Sequence, residues 1–201
     1  MPQGTPTSDD NVFDYSGMWT DAMWEVDLQS LTVDIDPFID ALVSVKNPSG
    51  ATQTYTFMVV LPVPALAGPT VHGGSTAATL LDADFSGSAT MGQSGATPMY
   101  MGMIDGAGVL GMLPPDAIDV PLTVGIAGGV DVASKVLGLP GPTLPSGAVN
   151  TSIAIQHKFT LTAGDNATFN SFFVVVPEPT TLSVLLLAGV FLLRHRSSSR
   201  K

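Results

Sequence analysis

The chain contains no cysteine. Disulfides, thiolate metal sites and cysteine nucleophiles are therefore excluded. Bases are scarce: across residues 1–179 only Lys46, Lys135 and Lys158 stand against 17 acids, a net charge of −14. Such a body repels nucleic acid and anionic lipid, which argues against phosphate recognition. Charged residues make up only 12% of the chain, so the Glu, Lys and Arg that usually fill long helices are missing. The opening stretch, MPQGTPTSDDNV, has no basic region and no apolar region, so it does not read as a secretory signal.

Glycine (21) and proline (16) are plentiful, and 45% of residues are apolar. That combination predicts a folded chain of short strands and many turns. In WEVDLQSL, Trp24, Val26 and Leu28 alternate with polar residues, the period of a half-buried strand. Tyr55, Phe57, Val59 and Leu61 share one face of the next clear strand. With the turn residues Asn47-Pro48-Ser49-Gly50 ahead of it, residues 41–61 read as a hairpin. In NTSIAIQHKFTLT, Ile153, Ile155, His157, Phe159 and Leu161 share a face. AGDN turns the chain and ATFNSFFVVV returns it, a second expected hairpin that ends at Pro177. Residues 92–149 read as short strands joined by Gly/Pro-rich loops. The expected fold is an antiparallel β-sandwich, Ig-like or jelly-roll-like, over residues 21–176, with residues 1–20 as a flexible leading segment.

Several motifs resemble sites. GAGVLG, Gly106 to Gly111, matches a dinucleotide fingerprint, but Met112-Leu113-Pro114-Pro115 follows where a helix should open; a glycine-rich loop is the expectation. DADFSG sets Asp82, Asp84 and Ser86 at the spacing of a calcium loop, with Gly87 in the turn position. Its twelfth position is Gln93 rather than a bidentate Glu, so a plain β-turn is the favoured reading and no metal is expected. Met99, Met101 and Met103 alternate as a soft-metal array would, although methionine is more often a core filler. His72, His157 and His195 are isolated in sequence, and no catalytic residue, cofactor or enzyme activity is expected. Trp19 and Trp24 could stack on sugars or fill the core.

The C-terminus is more specific. As a helix, Leu182–Leu193 would be about 18 Å long, against a bilayer core of about 30 Å that calls for about 20 apolar residues. It can insert only with thinning of the bilayer and snorkelling of Arg194 and Arg196. The bases Arg194, Arg196, Arg200 and Lys201 all follow it, which puts the tail in the cytoplasm and the acidic body outside. Ahead of it, Pro177 and Pro179 hold a linker extended and exposed.

Val176, Pro177, Glu178 and Pro179, then the apolar helix, then Arg194-His195-Arg196 resemble a PEP-CTERM sorting signal, covering residues 177–201. The resemblance implies export by a bacterium that makes extracellular polysaccharide, processing by a membrane-embedded exosortase, and a non-enzymatic role in the envelope or matrix. Its implied partners are that processing enzyme, the membrane and extracellular polysaccharide, with no nucleic acid. It also implies a signal peptide, which is expected ahead of Met1. Three alternatives stand beside it: a permanently anchored surface protein, an extracellular carbohydrate-binding module, and a secreted hydrolase, for which the sequence offers no support.

Overall fold

The computed structural model describes residues 5–6, 11–112 and 122–178, which form two antiparallel sheets and no helix. The first sheet holds β1 (Thr5–Pro6), β2 (Val12–Thr20), β3 (Glu25–Asp34), β4 (Phe38–Lys46), β6 (Thr70–Leu81), β11 (Val130–Leu137), β12 (Leu144–Ser146) and β14 (Asn166–Pro177). The second holds β5 (Gln53–Pro62), β7 (Ala89–Gln93), β8 (Tyr100–Ile104), β9 (Ala107–Met112), β10 (Leu122–Val124) and β13 (Ser152–Leu161). The first runs β1-β2-β3-β4-β14-β6-β11, with β12 also beside β6. In the second, β13 is central: β5 follows one side, while β8 pairs with Ile153–His157 and β7 with Phe159–Leu161 on the other.

Alternation explains which side chains lie between the sheets. Ile153, Ile155, His157, Phe159 and Leu161 are all buried, as their shared face predicts. Tyr55, Phe57 and Val59 of β5 pack against the same core. From the other sheet, Phe169 of β14 meets His157 at 4.4 Å and Phe159 at 4.8 Å between ring centroids. Fully burying one such side chain contributes about 1.5–3 kcal/mol. The approach is close enough that a Cβ on Gly102 of β8 would lie 2.6 Å from the Phe173 ring of β14, so only glycine fits there. The arrangement is consistent with the expected sandwich.

Both expected hairpins need correction. β4 and β5 do not pair: β4 lies between β3 and β14, while β5 lies beside β13 in the opposite sheet. Nor do β13 and β14 pair; each occupies a different sheet and they meet through side chains across the core. Asn47-Pro48-Ser49-Gly50 and Ala163-Gly164-Asp165 are therefore corners between sheets. Turn chemistry reverses a chain equally well in either case, and burial of an apolar face on each strand favours stacking them.

Two other features depart from simple alternation. In β3, Leu28 and Leu31 are both buried although three residues apart, because a bulge at Gln29–Ser30 shifts the register against both β2 and β4. β2 begins at Val12, so the first sheet starts inside the stretch read as a flexible leading segment, and it ends with β14 at Pro177.

Candidate metal centre

Four of the connections that cross between the sheets meet at one place. They are the β4–β5 corner, the β6–β7 loop, the β10–β11 loop and the β13–β14 corner. Asp82, directly after β6, organises two of them. Its Oδ1 accepts the Ser86 N–H at 3.2 Å, and its Oδ2 accepts those of Gly87 at 2.8 Å and Gly128 at 3.1 Å. The Asp82 N–H donates to the Gly129 carbonyl at 3.1 Å. Left-handed backbone at Phe85 (φ 60°) and Gly87 (φ 81°) curls the loop around this carboxylate.

The other two connections are tied by Asn47, which is fully buried. Its Nδ2 reaches the carbonyls of Ala51, Leu161 and Thr162 at 2.8–3.0 Å, and its Oδ1 accepts from Ser49. Its N–H donates to the Asp165 carbonyl at 3.0 Å, and its carbonyl accepts the Gly164 N–H at 2.7 Å. Gly164 adopts φ 80°, and a Cβ there would collide with the Asp84 carboxylate, so glycine is required twice over.

This framework brings together Asp82, Asp84 and Asp165, each offering a carboxylate oxygen within 4.8 Å of the others. Asp82 and Asp165 are fully buried and Asp84 is exposed. The Thr162 hydroxyl reaches Oδ2 of Asp165, while Oδ1 is buried without a partner. Burial raises the Asp165 pKa, and the charges of Asp84 and Asp82 push it further up against the Thr162 hydrogen bond. Hydrogen bonds from the backbone and hydroxyl of Ser86 hold Asp84 below the usual range, which keeps it ionised.

The DADFSG reading thus had part of the cluster: Asp82 and Asp84 converge, while Ser86 hydrogen-bonds to both carboxylates. Asp165 was missed. Its only local signal was the AGDN turn, and what unites it with Asp82 is the crossing topology. Asp105 was missed as well. From the β8–β9 turn, at φ 50°, its carboxylate accepts the N–H groups of Asn150, Thr151 and Ser152 at 2.8–3.1 Å and the side chains of Asn150 and Thr151 at 2.9 Å. Those bonds hold its pKa far below the ordinary carboxylate value.

The remaining candidates are dispersed. Gly106 to Gly111 form the β8–β9 turn and β9 itself, a hairpin in place of the expected loop. Met99 is buried, whereas Met101 and Met103 alternate with the inward Tyr100, Gly102 and Ile104, so the three do not form one array. His157 is fully buried, bonded through Nε2 to Ser171 at 3.0 Å, and burial pushes its pKa down to about 3. Trp19 is half-buried against the core and Trp24 is half-buried ahead of β3. Val176 and Pro177 close β14, and Pro177 and Glu178 are exposed. Pro179, Leu182, Leu193, Arg194, Arg196, Arg200 and Lys201 lie outside the described residues, as does the expected membrane segment. Among the described residues no helix is long and apolar enough to cross a membrane.

No protein-family model, no curated protein and no solved structure matches the chain.

Proposed function

We propose that the protein is an exported, non-enzymatic component of a bacterial envelope or extracellular matrix, delivered by a C-terminal PEP-CTERM signal. In this reading an exosortase recognises Val176, Pro177, Glu178 and Pro179, and Leu182–Leu193 lodges transiently in the bilayer. Arg194, Arg196, Arg200 and Lys201 stay on the cytoplasmic side until processing. Repeated crossing of the chain between the sheets favours the jelly-roll-like form of the sandwich over the Ig-like one.

The observation that carries the proposal is the order Pro-Glu-Pro, short apolar run and basic end in the sequence. It is supported by where the motif begins: Pro177 and Glu178 are exposed at the end of the last strand, within reach of a processing enzyme. A non-enzymatic role is supported by the burial of the Ser171–His157 pair, whose imidazole is sealed from substrate between the sheets. Trp19 is half-buried and packed on the core, which favours its role as a core residue over a sugar-stacking one.

The test is expression of the full gene in hosts with and without the sorting enzyme, followed by mass measurement of the surface-released form. The expected product lacks Arg194–Lys201. A released product that still carries those residues, or one that forms equally without the enzyme, overturns the processing claim.

A further inference from the structure

We propose that Asp82, Asp84 and Asp165 bind one calcium ion, which fastens the sheet-crossing corners of the sandwich. This inference is independent of the sorting proposal, since it rests on the folded body alone.

Asp82 on its own needs no ion, because the loop's own N–H groups surround it. Asp165 is different. It is fully buried, Oδ1 has no partner, and its carboxyl is grouped with two other carboxylates. An uncompensated buried carboxylate is costly, and two like charges beside it increase the cost. A cation among the three removes both penalties at once. The hydrogen bonding of the corner offsets this only in part: Thr162 serves only Oδ2 while its hydroxyl is also engaged with the Thr90 backbone, and the Ala83 backbone N–H is the weakest influence on the carboxyl.

The donor set selects the ion. Three carboxylates and no imidazole or thiolate suit a hard cation. Calcium–oxygen distances of about 2.3–2.6 Å allow ligands across the ion to stand about 4.6–5.2 Å apart, whereas magnesium at about 2.1 Å allows only about 4.2 Å. The carboxylate oxygens lie within 4.8 Å of one another on two separate loops, an arrangement that the variable coordination of calcium accommodates more readily than the near-ideal octahedron magnesium demands. Exposed Asp84 provides the entry side, and open coordination positions there take water. An affinity of about 10⁻⁴–10⁻³ M, the range of extracellular calcium modules, suits a site with this few protein ligands.

Thermal unfolding of the full chain, first in chelator and then with calcium chloride or magnesium chloride, tests the assignment. At calcium a hundredfold above Kd, the Tm rises by about 5–10 °C, and magnesium produces a much smaller rise. Asp84→Asn and Asp165→Asn each abolish the calcium-dependent rise, whereas Asp36→Asn, an exposed acid elsewhere, preserves it. Asp165→Asn in chelator melts at or above the native temperature, because a repelling charge has gone. Asp82→Asn is a poor probe, since it also disturbs the loop. An absent calcium shift, an equal one with magnesium, or one retained in Asp84→Asn overturns the proposal. Calorimetric titration of the native chain gives one calcium per chain if the proposal holds; no saturable heat overturns it.

Discussion

Asp105 and Asp165 each sit at a corner of the same sandwich, yet they have met opposite fates. Asp105 is exposed and takes hydrogen bonds from three consecutive backbone N–H groups and two side chains, so its charge is stabilised. Asp165 is buried, keeps one oxygen without a partner and is pushed towards its protonated form by burial and by its acidic neighbours. The first carboxylate is complete within the chain. The second is completed by something the chain does not contain. Buried polar groups that found partners hold the fold unconditionally; those that did not make it answer to solution conditions.

The core histidines sharpen that distinction most strongly. His157 bonds Ser171 through Nε2, and the Met99 and Val109 backbones favour the charged forms of His157 and His72, yet burial outweighs them and lowers both pKa values. Around the His157 ring stand Ser171, Tyr100, Phe169 and the Met99 backbone carbonyl; the carbonyl favours the imidazolium, but none of these groups carries a charge and burial prevails. The unfolded chain therefore binds protons that the folded chain refuses. The His157 contribution is full above about pH 6.5 and falls as pH drops towards about 3, by about 1.4 kcal/mol per pH unit, and His72 acts in the same direction. Asp165 acts in the opposite sense: its raised pKa favours the folded state as pH falls from that raised value to the ordinary carboxylate value, so it offsets part of the histidine effect. Denaturant unfolding across this range checks the sign. His157→Gln flattens the slope, and an unchanged slope contradicts the assignment.

Next in size is Asn47→Ala. It strips a buried amide that ties the β4–β5 corner to the β13–β14 corner and leaves carbonyls unserved, at a cost of about 3 kcal/mol. The Tm falls by about 6–12 °C, and the calcium response weakens with it. Asp105→Ala has a smaller effect, because water can reach the N–H groups it abandons. It lowers the Tm by the same amount with or without calcium, which separates the self-sufficient corner from the dependent one. Asp165→Asn changes least in chelator, by a few degrees upward at most.

The strands, and the side chains they bury, were legible in the sequence because alternation has a fixed period. Ile153 to Leu161 and Tyr55 to Leu61 point inward as their spacing required. Partners were not legible. Asn47-Pro48-Ser49-Gly50 reads the same whether it closes a hairpin or carries the chain to the opposite sheet, and only burial of both apolar faces decides. The candidate site was half legible for the same reason. Asp82 and Asp84 are neighbours in a recognisable loop, whereas Asp165 joins them only once β13 and β14 are assigned to different sheets. The bulge at Gln29–Ser30 left no mark in the sequence beyond a broken alternation, two polar residues between Leu28 and Leu31.

The most direct measurement of the contrast between the two corners is the side-chain carboxyl carbon spectrum of the full chain, recorded while calcium is titrated in. The account predicts that Asp82, Asp84 and Asp165 move together and saturate at one ion per chain, while Asp105 stays in place. Shifts of all the aspartates that grow without saturating, or an Asp105 that moves with the other three, would contradict it.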